Sequence, residues 1–161
     1  MLSAICLFSS VALTFASVPD QIHISYTQQI NEFAVDFVAS DATPGYVSWG
    51  PSQSGPFTKA ASTSFVYPTV GTMHQALMQL NGTGAGVPMY YKVGTSAGES
   101  AVFEVYPSPA RGLQEKFAVF GDFGMANDEC MDTLISDAKA GVYDSVLHVG
   151  DWACEFPLLP N

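Results

Sequence analysis

Two Gly-Asp dipeptides, Gly121-Asp122 and Gly150-Asp151, are the residues of this chain best suited to chemistry. Each follows a short apolar run, Phe117-Ala118-Val119-Phe120 and Ser145-Val146-Leu147-His148-Val149. Continuous runs of this kind suit strands covered on both faces. Between them lie helix signals. Asn127 is a good N-cap, and Asp128, Glu129 and Asp132 sit where the helix dipole favours acids. Met131, Leu134, Ile135 and Ala138 form an apolar stripe, Lys139 falls in the last turn and Gly141 is a stop. Strand, helix and strand over this length predict a right-handed crossover with parallel strands. Both aspartates then stand at carboxyl ends of neighbouring strands, where open α/β sheets bind ligands. Two carboxylates meeting there repel each other unless a cation lies between them. Their oxygens suit hard cations such as Fe(III), Mg(II) or Mn(II). The pair reads as half of a two-metal centre. The alternative is two aspartates that only cap the turns after their strands.

Composition narrows the partners. The chain has 161 residues, 48% hydrophobic and 12% charged, so it is not a disordered polar chain. Five basic residues face fifteen acidic ones, for a net charge of -10. That argues against a nucleic-acid backbone and anionic lipid headgroups as partners, since both need clustered Lys and Arg. A phosphate-bearing substrate would have to be attracted by a bound cation. The charge is uneven: residues 1–114 carry six acids and three bases, residues 115–161 nine acids and two bases.

Leu2 to Ala16 is apolar or small and uncharged, and Thr14-Phe15-Ala16-Ser17 offers small residues for cleavage. Residues 1–17 are read as a signal peptide, so the protein is expected to be secreted or to enter the secretory pathway. Asn81-Gly82-Thr83 is a glycosylation sequon in a Gly-rich loop, with Asn81 as the acceptor. Cys6 leaves with the signal, and Cys130 and Cys154 are too few for a disulfide-built scaffold.

Residues 18–107 read as an all-β sandwich of the immunoglobulin or fibronectin III type. Ile22, Ile24 and Tyr26 alternate with polar residues, as do Phe33, Val35 and Phe37. Tyr46–Trp49, Met73–Leu80, Met89–Val93 and Ala101–Tyr106 complete six or seven short strands, separated by Gly, Pro and Asp turns. Residues 108–115, with Pro109 and Gly112, form a linker. Residues 116–161 are then an incomplete α/β region. Two strands and one helix expose sheet edges and a bare apolar face, so this region needs something to complete it.

Phe120-Gly121-Asp122-Phe123-Gly124, a helix, and then His148-Val149-Gly150-Asp151-Trp152-Ala153 resemble the start of a calcineurin-like metallophosphoesterase domain. The preceding β domain narrows the resemblance to the purple acid phosphatases. Pro19–Ser25 resembles that family's opening strand, and Tyr90–Gly94 with Phe103–Val105 its last sandwich strands. The resemblance covers nearly all of residues 19–156, in family order. It implies a dinuclear metal hydrolase of phosphate monoesters, in which Asp122 binds Fe(III). Asp151 would bridge Fe(III) and a divalent Zn, Mn or Fe, and water activated there would attack phosphorus in line.

Two positions depart from the family. Cys154 stands where the family has its iron-ligating tyrosine. A thiolate is a candidate ligand, but softer and shorter-reaching, and a Cys130–Cys154 disulfide would exclude it. The family's later Asn and His ligands are absent, and no histidine follows His148. As written, the chain is expected to be an N-terminal fragment of a phosphate monoester hydrolase, inactive alone. The alternative is a secreted fibronectin-like binding or adhesion module without catalysis. The expected partner is a phosphate monoester, with no nucleic acid and no membrane once the signal is removed; a homodimer stays open.

Other signals are weaker. Gly94-Thr95-Ser96-Ala97-Gly98 matches the G-x-S-x-G nucleophile pattern, but strands on both sides make it a hairpin loop. Gly82, Gly84 and Gly86 resemble a phosphate-cradling loop, yet no helix follows them. His23, His74 and His148 are expected to pack or to lie at the surface.

Overall fold

The computed structural model of the chain describes residues 18–81, 84, 86–107, 114–121 and 130–150. The chain divides into two compact units, Met1–Ser108 and Pro109–Asn161. The signal-peptide stretch at 1–17 and most of the linker lie outside the described residues. Among the described residues, no helix is long and apolar enough to cross a membrane.

The first unit carries eight strands: β1 (Asp20–Tyr26), β2 (Glu32–Ala39), β3 (Tyr46–Gly50), β4 (Thr58–Ala61), β5 (Thr63–Tyr67), β6 (Gly71–Gln79), β7 (Met89–Gly94) and β8 (Phe103–Val105). They form two antiparallel sheets, ordered β1-β2-β6-β5 and β4-β3-β7-β8. The first order is the four-stranded sheet of a constant-type immunoglobulin sandwich, and β4 adds a strand to the edge of the second. Period-2 patterning explains the layers. Phe33, Val35 and Phe37 from β2 and Ala76 and Met78 from β6 point inward, against Val47 and Trp49 from β3 and Tyr91 and Val93 from β7. The Trp49 indole Nε1 donates to the Gln79 carbonyl at 3.0 Å, so the ring is buried with its polar edge satisfied. Met78 is fully buried in this core. Truncation to alanine is expected to destabilise the sandwich by about 2–5 kcal/mol. Chemical denaturation would show this as a lower midpoint.

The sequence pattern does not mark strands β4 and β5. Every residue of β5 is exposed, so hydrophobic alternation gives no signal there; only its hydrogen bonding to β6, with Thr63 opposite Gln75 and Tyr67 opposite Gly71, defines it. The G-x-S-x-G segment is a hairpin loop, as its context predicts. Gly94 bridges to Glu99, and the Thr95 N–H donates to the Gly98 carbonyl at 2.9 Å.

His74 is a core residue. It is 2% exposed, and its ring stacks on Phe37 at 4.7 Å between centroids. Nδ1 pairs with the Ser62 hydroxyl at 2.9 Å, while buried Nε2 has no hydrogen-bond partner. Burial therefore holds its pKa below the ordinary 6.5, against a smaller opposing pull from the Asp41 carboxylate. The unfolded chain takes up a proton near pH 6.5 that the folded chain refuses, so the His74 contribution is complete above that pH and is lost as pH falls. Thermal midpoints measured from pH 7 down to about pH 5 should decline, and His74→Phe should flatten the decline.

The second unit holds β9 (Phe117–Phe120), α1 (Met131–Lys139) and β10 (Ser145–His148). Strands β9 and β10 pair in parallel, from Ser145 opposite Phe117 to His148 opposite Phe120. The helix starts later than its sequence signals suggest. Its N-cap is Cys130, without a side-chain cap bond, and Asp132 is the acid of its first turn; Asn127, Asp128 and Glu129 lie outside the described residues. Its end follows expectation. Gly141 adopts φ 67°. The Val142 N–H donates to the Asp137 carbonyl at 3.0 Å, and the Gly141 N–H to that of Ala138 at 3.1 Å. These two bonds make a Schellman cap. Although continuous apolar runs suit covered strands, the described residues show the bare apolar face expected of an incomplete region. Val119, Val146, Leu147 and Val149 are exposed, and α1 has no buried residue. A sheet of two strands with one helix has too few layers to cover both faces.

Candidate metal centre

Both Gly-Asp dipeptides continue from the two parallel strands of the second unit. The starts of these strands are tied by Asp144, whose Oδ2 accepts the Lys116 N–H at 2.8 Å, while the Asp144 N–H donates to the Lys116 carbonyl at 2.8 Å. The Tyr143 hydroxyl donates to the Leu134 carbonyl at 2.5 Å and fastens the returning chain to α1. Neither residue carried a sequence signal for this role, because a turn Asp and a turn Tyr before a strand are common. Together the two contacts fix the level at which the strands end.

At the carboxyl ends the backbones come close. The Val149 N–H donates to the Phe120 carbonyl at 2.7 Å, one residue past the last paired position. A Cβ placed on Gly121 would lie 1.7 Å from the Val149 carbonyl oxygen and 2.8 Å from its carbon. Only glycine fits there. Gly150 has φ 135°, a conformation in which L side chains are strained. Each glycine of the paired motif thus has its own physical requirement, one steric and one torsional. The consequence is that the chain leaves both strand ends at one level, from adjacent strands.

Asp122, Asp151 and Cys154 lie outside the described residues. So does the cysteine partner considered for Cys130, which is exposed. Among the described residues, no group of three or more His, Cys, Asp or Glu side chains could hold a metal ion. His148 packs edge to face on Phe120, with centroids 5.3 Å apart and planes at 89°. Asn81 stands exposed in the turn after β6, where its side-chain oxygen accepts from Gln79 Nε2 at 3.1 Å. Two carboxylates follow the paired strands in the sequence, and carboxylate oxygens suit a hard cation.

No family model matches the chain. Curated relatives do. It is 31% identical over 145 residues to acid phosphatase type 7 of Homo sapiens, across 86% of this chain and 33% of the relative. It is 30% identical over 142 residues to acid phosphatase type 7 of Mus musculus, across 84% of this chain and 32% of the relative. The acid phosphatase type 7 of Danio rerio is 28% identical over 160 residues, across 89% and 35% respectively. The chain spans about a third of the length of the curated relatives it matches.

Proposed function

Because this chain is a relative of the acid phosphatases in the purple acid phosphatase family, we propose that it contributes the N-terminal part of a metal-dependent hydrolase of phosphate monoesters. The observation that carries the reading is the contact at Gly121, which brings the roots of two Gly-Asp motifs together on adjacent parallel strands. In this reading Asp122 and Asp151 would hold the metals, Fe(III) together with a divalent Zn, Mn or Fe. Bound metals would lower the pKa of water and neutralise charge developing on the phosphoryl group. The chain's own residues supply two oxygen donors, and the glycines let their strands approach. Cys154 is a third candidate donor, at the position of the family's tyrosine. Two carboxylates and one thiol cannot hold two metals alone, so the catalytic activity belongs to the longer protein, with ligands from outside these 161 residues.

The reading extends to compartment. Residues 1–17 act as a secretory signal, and Asn81 carries an N-linked glycan. The exposed turn position of Asn81 supports the second point. Protein purified from its native source should hydrolyse p-nitrophenyl phosphate. Activity should fall on metal chelation and return with iron and a divalent metal. Native protein with neither phosphatase activity nor bound metal would refute the reading.

A further inference from the structure

The outer face of the β1-β2-β6-β5 sheet is not a plain solvated surface. One polar row crosses all four strands in register: His23 opposite Asp36, Asp36 opposite Gln75, and Gln75 opposite Thr63. At the usual strand spacing this row is about 14 Å long. An apolar row runs beside it, Val38 opposite Met73 and Met73 opposite Phe65. Phe65 is 58% exposed and meets Tyr67 edge-on, with centroids 6.4 Å apart. The two rows belong to one groove of about 400 Å³. That volume lies in the range of small-ligand sites.

Hydrogen bonds link members of the polar row to one another and to the backbone. Gln75 Nε2 donates to Asp36 Oδ1 at 3.0 Å, and His23 Nδ1 pairs with the Gln21 carbonyl at 2.9 Å. Asp36 Oδ2 stands 3.9 Å from His23 Nε2, beyond hydrogen-bond range, so it keeps acceptor capacity. Gln75 keeps an acceptor oxygen and a second amide hydrogen. The other sheet differs. There Glu99 accepts from both Lys92, at 2.5 Å, and the Tyr46 hydroxyl, at 2.7 Å, and Lys59 caps the Tyr46 ring. These four side chains satisfy one another.

The lining also limits the ligand. It contains one carboxylate and no Lys or Arg, on a chain of net charge -10. An anion such as a phosphate ester is disfavoured there. A neutral ligand rich in hydroxyls, with an apolar C–H face, fits both rows. Its hydroxyls meet the Asp, Gln and His groups, and its C–H face lies on Phe65 and Met73. We infer that this groove is a binding site for a neutral oligosaccharide, independent of the phosphatase chemistry.

The test is calorimetric titration of the whole chain with cellohexaose, maltohexaose, mannohexaose and chitohexaose, and with inorganic phosphate as the anion. At least one hexasaccharide should bind saturably. Asp36→Asn and Phe65→Ala should each weaken it about tenfold or more. Leu77→Ser, exposed on the same face outside the groove, should leave it unchanged. Unchanged near-ultraviolet circular dichroism and thermal midpoints would show that the variants fold. Three results would each overturn the site: no hexasaccharide binding at millimolar concentration, binding undiminished in both groove variants, or phosphate binding in place of sugar. Gel filtration adds a fourth. A dimer that Phe65→Asp dissociates would make this face an interface between copies. In the full-length protein the groove variants should keep wild-type hydrolysis of p-nitrophenyl phosphate, so this site and the phosphatase reading fail separately.

Discussion

Asp151→Ala in the full-length protein is expected to lower phosphate monoester hydrolysis by on the order of 10³-fold or more, with loss of bound metal. In the proposed centre this carboxylate would be a ligand to the metals. Metal charge at the reacting phosphoryl group is worth several kcal/mol, and each 1.4 kcal/mol is about tenfold in rate. Alanine removes the carboxylate without adding bulk, so the unfolding midpoint of the metal-free protein should change little. Asp151→Asn keeps the shape and removes the charge, and should also lose metal. Metal analysis by mass spectrometry beside the rate assay separates ligation from folding. Full metal content and full activity in Asp151→Ala would leave the aspartate a turn cap, and the two-metal reading would fall.

Gly121→Ala should come second in effect, though it adds only a methyl group. That methyl would lie 1.7 Å from the Val149 carbonyl oxygen, and the obstacle is backbone rather than a side chain that can turn away. The strand ends would have to separate by about 1 Å, and misplacement on that scale can cost ~10²-fold in rate. Activity and metal content should fall together, with some loss of stability. Gly141→Ala is the contrast. Its φ of 67° strains an alanine, but nothing lies within 4 Å of the added carbon. It should cost about 1–2 kcal/mol of stability and leave metal content intact. Equal metal loss in both variants would mean that general destabilisation, rather than the strand contact, empties the centre.

Several features were legible in sequence because local chemistry forces them. The inward residues of β6 and β7 recur at every second position, and burial follows that period. Trp49 belongs to the core because a large ring with one donor needs both packing and a partner, and the Gln79 carbonyl provides it. The helix stop at Gly141 is legible because a residue there needs positive φ. The resemblance to the metallophosphoesterases is readable in one dimension, from Gly121-Asp122 and Gly150-Asp151.

Other features depended on where distant segments meet. The helix N-terminus at Met131 was not legible from Asn127, because the N-cap is Cys130, a residue that makes no side-chain cap bond and so leaves no capping signal in the sequence. Strand β5 shows no amphipathic period, since its partner lies on one edge and both its faces are open. The polar row on the outer sheet joins residues from four strands, His23, Asp36, Thr63 and Gln75, and register alone places them side by side. The Gly121 contact is of the same kind. The motif marks glycine as permissive, but the requirement comes from the Val149 carbonyl, 28 residues away in the chain. Sequence by itself determined which residues alternate, turn and carry charge, because those properties act over a few bonds. The tertiary structure decided which of them face one another, because strand register and backbone approach are set only when separate segments pair.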